Sequence, residues 1–467
     1  MEESWETVVV GAGIAGLGVG ALLSKAAKHK VLILDRFPRP GGRLMEFSDY
    51  PQPGWRVDIG LHMTELGEKS DINALNQRAG VKVKWADFSQ KVLIYNQNRW
   101  TDLAQLVPLS QAERNDFKVL LVKIASLGDA EIEAWDNRSL AEWLAQNVPS
   151  PAVRELLTDL GMIMTTIPVA RDMAAGEVLW IARHNLQAMR QVLSSGYPIG
   201  GMAALTQGLV KAIQSAGSEV RVQSPVHSVV IEKGRALGVR VGAGRSEYPA
   251  DFRILETSFI RAERVVLALP IYQLEAILDF HPDSSPLPEW WRKRIAAIKH
   301  EITGLIGYVL GLREPVVEGL CFLSALQCKH TGLPFQGFPA SNFDPSAAPA
   351  GKQVLYTDCV IEYPEASDPF ARERKLKAMW EDLREMFPGF EEKLEWSLPY
   401  YVAGCDGLAR KPGLVGRFKP ELKAPGIENL YFAGDTYQGR GLAMNSAALS
   451  ALKAADLILA DLNCGKT

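Results

Sequence analysis

The order of apolar and polar positions divides the chain into recognisable elements. Val8, Val9 and Val10 form a short β-branched run that stops at Gly11, as a buried central strand does. Small and apolar residues from Ile14 to about Lys28 predict a helix, and Val31 to Leu34 a second buried strand. From about residue 66 to 195 the pattern turns helical, as in Leu140 to Ala145 and Ala152 to Leu160. A helix is then predicted from Ala203 to Ser215, with strands at Val220 to Val222 and Val226 to Ile231. Val229 to Val241 reads as a hairpin turning at Gly234, and Val265 to Leu269 as a buried strand closed by Pro270. Leu305 to Leu312 is a strand candidate. Phe370 to Phe387 reads as an amphipathic helix whose charge run is a solvated face. Near the end, Asn429 to Phe432 predicts a strand. Ala448, Ala451, Leu452, Ala455 and Leu459 then mark the apolar face of a last helix.

Three glycines punctuate the first strand–helix junction. Gly11, Gly13 and Gly16 have the G-x-G-x-x-G spacing, and Ile14 and Ala15 open the helix between them. The first glycine allows a tight turn, the second lets the backbone approach a pyrophosphate, and the third lets helix and strand pack closely. The helix N-terminus points its N–H groups at the phosphates. Asp35 ends the second strand 19 residues after Gly16, where a carboxylate binds a ribose hydroxyl. It also argues against a 2′-phosphate, although Arg36 beside it weakens that point. Gly41, Gly42 and Arg43 lie in a proline- and glycine-rich loop, placed to touch the same pyrophosphate, with Arg43 as a charge-assisted donor. Gly242, Ala243 and Gly244 form no second site of this kind. Glu247 stands where the third glycine belongs, and the stretch reads as a hairpin turn.

Composition narrows the setting. At 467 residues the chain is long enough for two or more domains. A hydrophobic share of 47%, a charged share of 22% and a net charge of −3 describe an ordinary globular protein, with no electrostatic case for a nucleic-acid partner. Met1 to Glu6 is acidic, unlike a secretory leader. The five cysteines and seven histidines show no disulfide or metal-ligand spacing, so no metal is expected and a reducing cytoplasm fits.

The opening fingerprint, Asp35 and Gly41-Gly42-Arg43 resemble the FAD-binding start of the amine oxidase and phytoene desaturase superfamily. Val57-Asp58-Ile59-Gly60-Leu61-His62 is similar to the superfamily's segment passing close to the flavin, and gives His62 a flavin-proximal role to test. Read alone, Asp58 is a turn former. Val226 matches a position whose backbone pairs with adenine. Gly434 and Asp435, then Gly441, Leu442, Ala443 and Met444, resemble the closing motif. There the Asp binds the ribityl or pyrophosphate portion, and a helix N-terminus faces the flavin pyrimidine edge. The resemblance implies an α/β fold: a Rossmann-type FAD-binding domain (residues 1–65, 196–279 and 425–467) with an interleaved, mixed α+β substrate domain (66–195 and 280–424). Two positions depart from the amine oxidase branch. Gly307 stands eight residues before Pro315, where a lysine holds water near flavin N5, and Ala443 replaces an aromatic of the amine cage.

These features imply an FAD-dependent oxidoreductase acting on carbon–carbon bonds of an apolar, isoprenoid or polyene-like substrate. The resemblance implies desaturation, saturation or isomerisation, with hydride exchange at flavin N5. The nearest branch is the phytoene desaturase-like and retinol saturase-like proteins. The electron donor or acceptor is unknown. A lipid-resident substrate leaves peripheral membrane contact open, with no basic amphipathic helix to demand it. His62, Tyr437 and Arg440 are the catalytic candidates. Cys405 is a minor candidate for covalent flavin attachment. Trp135, Trp143, Met162, Met164, Met173, Trp180 and Met189 line an apolar tunnel or, taken singly, fill a core. The competing functions are an amine oxidase using dioxygen and a non-enzymatic binding protein like the GDP-dissociation inhibitors.

Overall fold

The computed structural model describes residues 3–26, 29–60, 62, 64–86, 91–105, 107–167, 169–189, 195–243 and 256–464. The chain opens with β1 (Glu3–Val10), α1 (Ile14–Ala26) and β2 (Val31–Leu34), close to the predicted unit. A hairpin of β3 (Leu44–Ser48) and β4 (Arg56–Gly60) precedes β5 (Thr64–Glu65) and α2 (Asp71–Ala79). Next come β6 (Lys91–Asn96), β7 (Arg99–Asp102), α3 (Gln111–Ser126), α4 (Asp129–Glu133), α5 (Leu140–Asn147), α6 (Pro151–Thr165) and α7 (Ala175–Met189). The chain returns through β8 (Ser195–Gly196), α8 (Ala204–Ser215), β9 (Glu219–Arg221), β10 (Val226–Glu232), β11 (Arg235–Ala243) and β12 (Glu256–Leu267). It continues with α9 (Glu289–Ile298), β13 (Thr303–Leu312), β14 (Cys321–Ala325), β15 (Phe335–Phe338), α10 (Ala340–Phe343) and β16 (Gln353–Glu362). Then follow α11 (Tyr363–Ser367), α12 (Pro369–Met386), α13 (Phe390–Lys393) and β17 (Leu394–Val402). β18 (Leu430–Phe432) and α14 (Ala443–Cys464) close the chain.

The fold is α/β. One seven-stranded sheet has the order β10-β11-β12-β1-β2-β9, with β18 also paired to β12. β1 is central and parallel to both neighbours, with Val9 in register with Val266 and Ile33. That position explains its uninterrupted valines, all buried. α1 packs against α14, α8 and α2. A Cβ on Gly16 would stand 1.9 Å from the Gly11 carbonyl oxygen, so the helix cannot approach the turn this closely with any larger residue.

A second seven-stranded sheet has the order β17-β13-β16-β15-β14-β6-β7. The predicted amphipathic helix is α12. Met379, Leu383 and Met386 bury with Leu310, Phe335 and Leu355 of the sheet. Helices α3 to α7 form a separate core with Trp143, Leu144, Leu157, Met173 and Leu179.

Several expectations change. Residues 66–195 are not wholly helical: β6 and β7 join the second sheet, where β6 runs parallel to β14. The six residues of β6 are too short for their alternation to stand out from flanking helical patterns. Gly242 and Ala243 are not a turn but the end of β11, paired with Thr257 and Glu256, and Gly244 lies outside the described residues. Asp58 is not a turn former either. It sits on β4, fully buried, accepting hydrogen bonds from the Tyr197 hydroxyl (2.5 Å) and the Met202 N–H (2.9 Å). Trp143, Met162, Met164 and Met173 are core residues, not a tunnel lining. Among the described residues one helix, Ala443–Asn463 of α14, is long and apolar enough to cross a membrane, and most of it is buried.

Candidate active site

The parallel strands β1, β2, β12 and β18 all end on the same side, and their following turns enclose one groove of about 840 Å³. A crevice outside the carboxyl ends of the strands is where open α/β sheets bind ligands. The turn after β1 contributes Gly11, Gly13, Ile14 and Ala15, and the end of β2 contributes Asp35 and Arg36. Gly42 and Arg43, then Gly60 at the end of β4, follow. Val226 enters from β10, Gly434 and Asp435 from the turn after β18, and Ala443 and Met444 from the start of α14.

Asp35 is buried, and its two oxygens accept the N–H groups of Ala12 (2.7 Å) and Phe37 (2.8 Å). Burial raises its pKa, partly countered by those two hydrogen bonds. The carboxylate therefore locks the glycine turn to the end of β2. The Gly41 N–H donates to the Ala12 carbonyl at 2.8 Å and ties the second loop to the same turn. Arg43 donates to the carbonyls of Gly404 (3.1 Å) and Cys405 (2.7 Å) and to Asp435 (2.9 Å). Burial opposes its charge, but Asp435 more than offsets this and holds its pKa above the ordinary value. The pair joins the first loop to the turn after β18, nearly 400 residues away.

A smaller cavity of about 110 Å³ adjoins the groove; Gly60, Ala443 and Met444 line both. Its walls are mostly apolar, with Val92, Ile163, Leu305, Phe322, Phe338, Val360 and Leu442. Its polar residues include His62, Glu65, Asp358 and Asp406. His62 Nε2 lies 2.8 Å from the Tyr400 hydroxyl and 3.5 Å from Asp358 Oδ1, and its ring stacks on Tyr356 at 4.0 Å. This cluster explains Gly307 on the neighbouring β13. A Cβ there would meet the Thr357 carbonyl oxygen at 2.1 Å and the Tyr400 hydroxyl at 2.9 Å, so a lysine has no room. Asp406 is paired with Arg410 through contacts of 2.5 and 3.1 Å. Glu65 accepts from the Asn185 side chain at 2.5 Å, and burial raises its pKa to about 7.

Other predicted residues lie elsewhere. Gly16 is behind the groove in α1, and Leu61 is outside the described residues. Tyr437 lines neither cavity; it is fully buried and stacked on Phe432. Arg440 also lines neither. Its guanidinium is held by Asp136 (2.7 and 3.0 Å) and Glu177 (3.2 Å), while Glu177 accepts the Gly441 N–H at 2.7 Å. These contacts brace the turn before α14. The Cys405 thiol is buried beside Leu305 and Val360 and lines neither cavity, and burial pushes its pKa well up. Sequence reasoning missed Glu65, Asp358, Tyr400 and Asp406. Of these only Glu65 carried a local signal, three residues after His62.

The family model for flavin containing amine oxidoreductases matches residues 14–459. The chain belongs to this family. Its cofactor is FAD, as the flavin-containing family requires. Among its relatives, prolycopene isomerase of Daucus carota is 23% identical over 51% of this chain and 44% of its own length. The alignments with the first-ranked curated relatives span about half of those proteins. Phytoene desaturase (neurosporene-forming) of Cereibacter sphaeroides is 22% identical over 93% of this chain and 91% of its own. An oxidoreductase from Methanosarcina mazei has a similar structure, with a TM-score of 0.74 at 21% identity, covering 96% of this chain and 99% of that one. The groove fits the family's cofactor. A Cβ on Gly13 meets nothing within 4 Å, so the glycine leaves open space at the helix N-terminus where a pyrophosphate needs it.

Proposed function

We propose that the protein desaturates, saturates or isomerises carbon–carbon bonds of an apolar, isoprenoid or polyene-like substrate. The inner cavity carries this reading: a mostly apolar space opening onto the groove at Gly60, Ala443 and Met444. Of its three carboxyl groups, Asp406 is paired with Arg410 and Asp358 lies 3.5 Å from His62 Nε2. At about 110 Å³ it admits a short reacting stretch of a substrate rather than a whole polyene. The relatives named for prolycopene and phytoene support the same substrate class.

FAD would supply a hydride acceptor and donor. Gly11, Gly13, Ile14 and Ala15, with the N-terminus of α1, would hold its pyrophosphate, and Asp35 and Val226 its adenosine portion. Arg43 acts through Asp435, which it orients toward the ribityl side. The N-terminus of α14, at Ala443 and Met444, favours negative charge on the pyrimidine edge. His62, fixed by Tyr400 and Tyr356, orients the substrate within the inner cavity. Arg440 is a positioning residue for α14, whereas Tyr437 is packing.

The test is anaerobic mixing of the holoenzyme, oxidised or dithionite-reduced, with phytoene, all-trans-retinol and a series of alkylamines. Bleaching of oxidised flavin by a polyene (desaturation), re-oxidation of reduced flavin by it (saturation) or a shifted double bond with the flavin state unchanged (isomerisation) supports the reading. Bleaching by amines alone, with peroxide released in air, replaces it with amine oxidation. The acidic lining of Glu65, Asp358 and Asp406 is the observation favouring that second reading.

A further inference from the structure

Glu65, Asp358 and Asp406 share one cavity but differ in their surroundings. Asp406 is bridged to Arg410, and Asp358 faces His62. Among the described residues no lysine, arginine or histidine pairs with Glu65, whose Oε1 accepts from the Asn185 amide at 2.5 Å. β5 fixes its backbone by pairing Glu65 with Ser195 of β8. The Asn445 side chain, in the first turn of α14, donates to the Glu65 carbonyl at 3.1 Å. Glu65 is thereby attached to the helix end that closes the cofactor groove.

Three charged groups face Glu65 from the elements packed around it. Arg410, in the loop after β17, favours the carboxylate; Asp71 of α2 and Glu177 of α7 oppose it. Burial, reinforced by Asp71 and Glu177, outweighs the Asn185 hydrogen bond and Arg410 and pushes the carboxyl up to about 7. A carboxyl with this setting is neutral or charged with little cost either way near pH 7, as general acid–base work requires.

We infer that Glu65 is a catalytic residue that exchanges the proton at the substrate carbon next to the one exchanging hydride. The inference rests on the carbon–carbon reading above. In the oxidative direction one C–H bond gives its hydrogen and electron pair as hydride to FAD. The adjacent C–H bond gives its proton to the Glu65 carboxylate, and the electron pair left behind becomes the new double bond. The substrate loses two electrons, FAD gains them, and Glu65 is left protonated. In the reverse direction neutral Glu65 gives the proton back.

Infrared titration of the holoenzyme tests the group without any substrate. The expected result is a loss of protonated-carboxyl absorption near neutral pH in the wild type that falls to the contribution of Glu46 in Glu65→Gln and vanishes in Glu46→Gln/Glu65→Gln, with FAD still bound. In anaerobic single turnovers with phytoene or all-trans-retinol, whichever bleaches the wild type, Glu65→Gln should slow flavin reduction by about 100-fold or more. Glu65→Asp should recover part of the rate with a shifted pH profile. A Glu65 carboxylate ionised throughout above about pH 5, or a Glu65→Gln rate equal to wild type, overturns the inference. Turnover of amines alone removes the carbon–carbon reading and this role together; polyene turnover unchanged in Glu65→Gln removes Glu65 alone.

Discussion

The groove and the inner cavity touch at three residues yet are built by different means. The groove is made of backbone: strand ends, glycine turns and two helix N-termini, held by the Asp35 hydrogen bonds and the Arg43–Asp435 pair. The inner cavity is made of side chains drawn from β4 to β6, α6, β13 to β16 and the loop before α14. A site for a fixed ligand can be written in contiguous motifs, because the backbone presents the same N–H groups whatever the side chains. A site for a variable substrate is assembled from positions that meet only on folding.

The sharpest contrast lies within the groove. Gly16→Val would drive its side chain into the Gly11 carbonyl and should cost more than about 4 kcal/mol, leaving no soluble holoprotein on purification. Gly13→Ala meets no protein atom, so it should fold normally and weaken FAD retention alone, as spectra of the purified protein will show.

Arg43→Met removes the half-buried partner of the buried Asp435 and leaves only the Lys419 ammonium beside it. A loss of about 2–3 kcal/mol in chemical denaturation is expected, together with loss of flavin. Variants of the inner cavity should behave oppositely. His62→Phe and Tyr400→Phe should keep FAD and cut flavin reduction by substrate about 100-fold through misplacement. Flavin loss in either variant would merge the two regions into one functional unit.

Acidity separates the regions further. Burial raises Glu65 from its ordinary 4.5 to about 7, so between these values the folded chain binds more protons than the unfolded chain. Stability should fall as pH rises through that window and level off above it, by about 3 kcal/mol at most from this residue. Glu46, also raised to about 7 by burial, adds to the same slope. Thermal melts from pH 4.5 to 8 should be flatter in Glu65→Gln. The smallest effect is expected for Cys405→Ala. Its flavin should remain extractable on denaturation, as in the wild type, with a stability cost of about 1–2 kcal/mol for the lost buried group.

The sequence by itself determined the strand–turn–helix frame of the groove. Valines before Gly11, the spacing to Gly16, Asp35 after β2, and Gly434-Asp435 ahead of α14 follow local backbone rules, and each falls where those rules put it. Even the Gly234 hairpin was legible, because a turn is a short-range object. The tertiary structure alone decided the second sheet's order and the parallel seating of β6 on β14. It also decided the meeting of His62 with Tyr400 and Asp358, residues about 300 positions apart. It turned Arg440 away from the cavities into a brace on Asp136 and Glu177, and buried Tyr437 in an aromatic stack. The physical reason is range: glycine turns and strand ends depend on dihedral angles of neighbouring residues, whereas side-chain clusters depend on how distant sheets and helices pack.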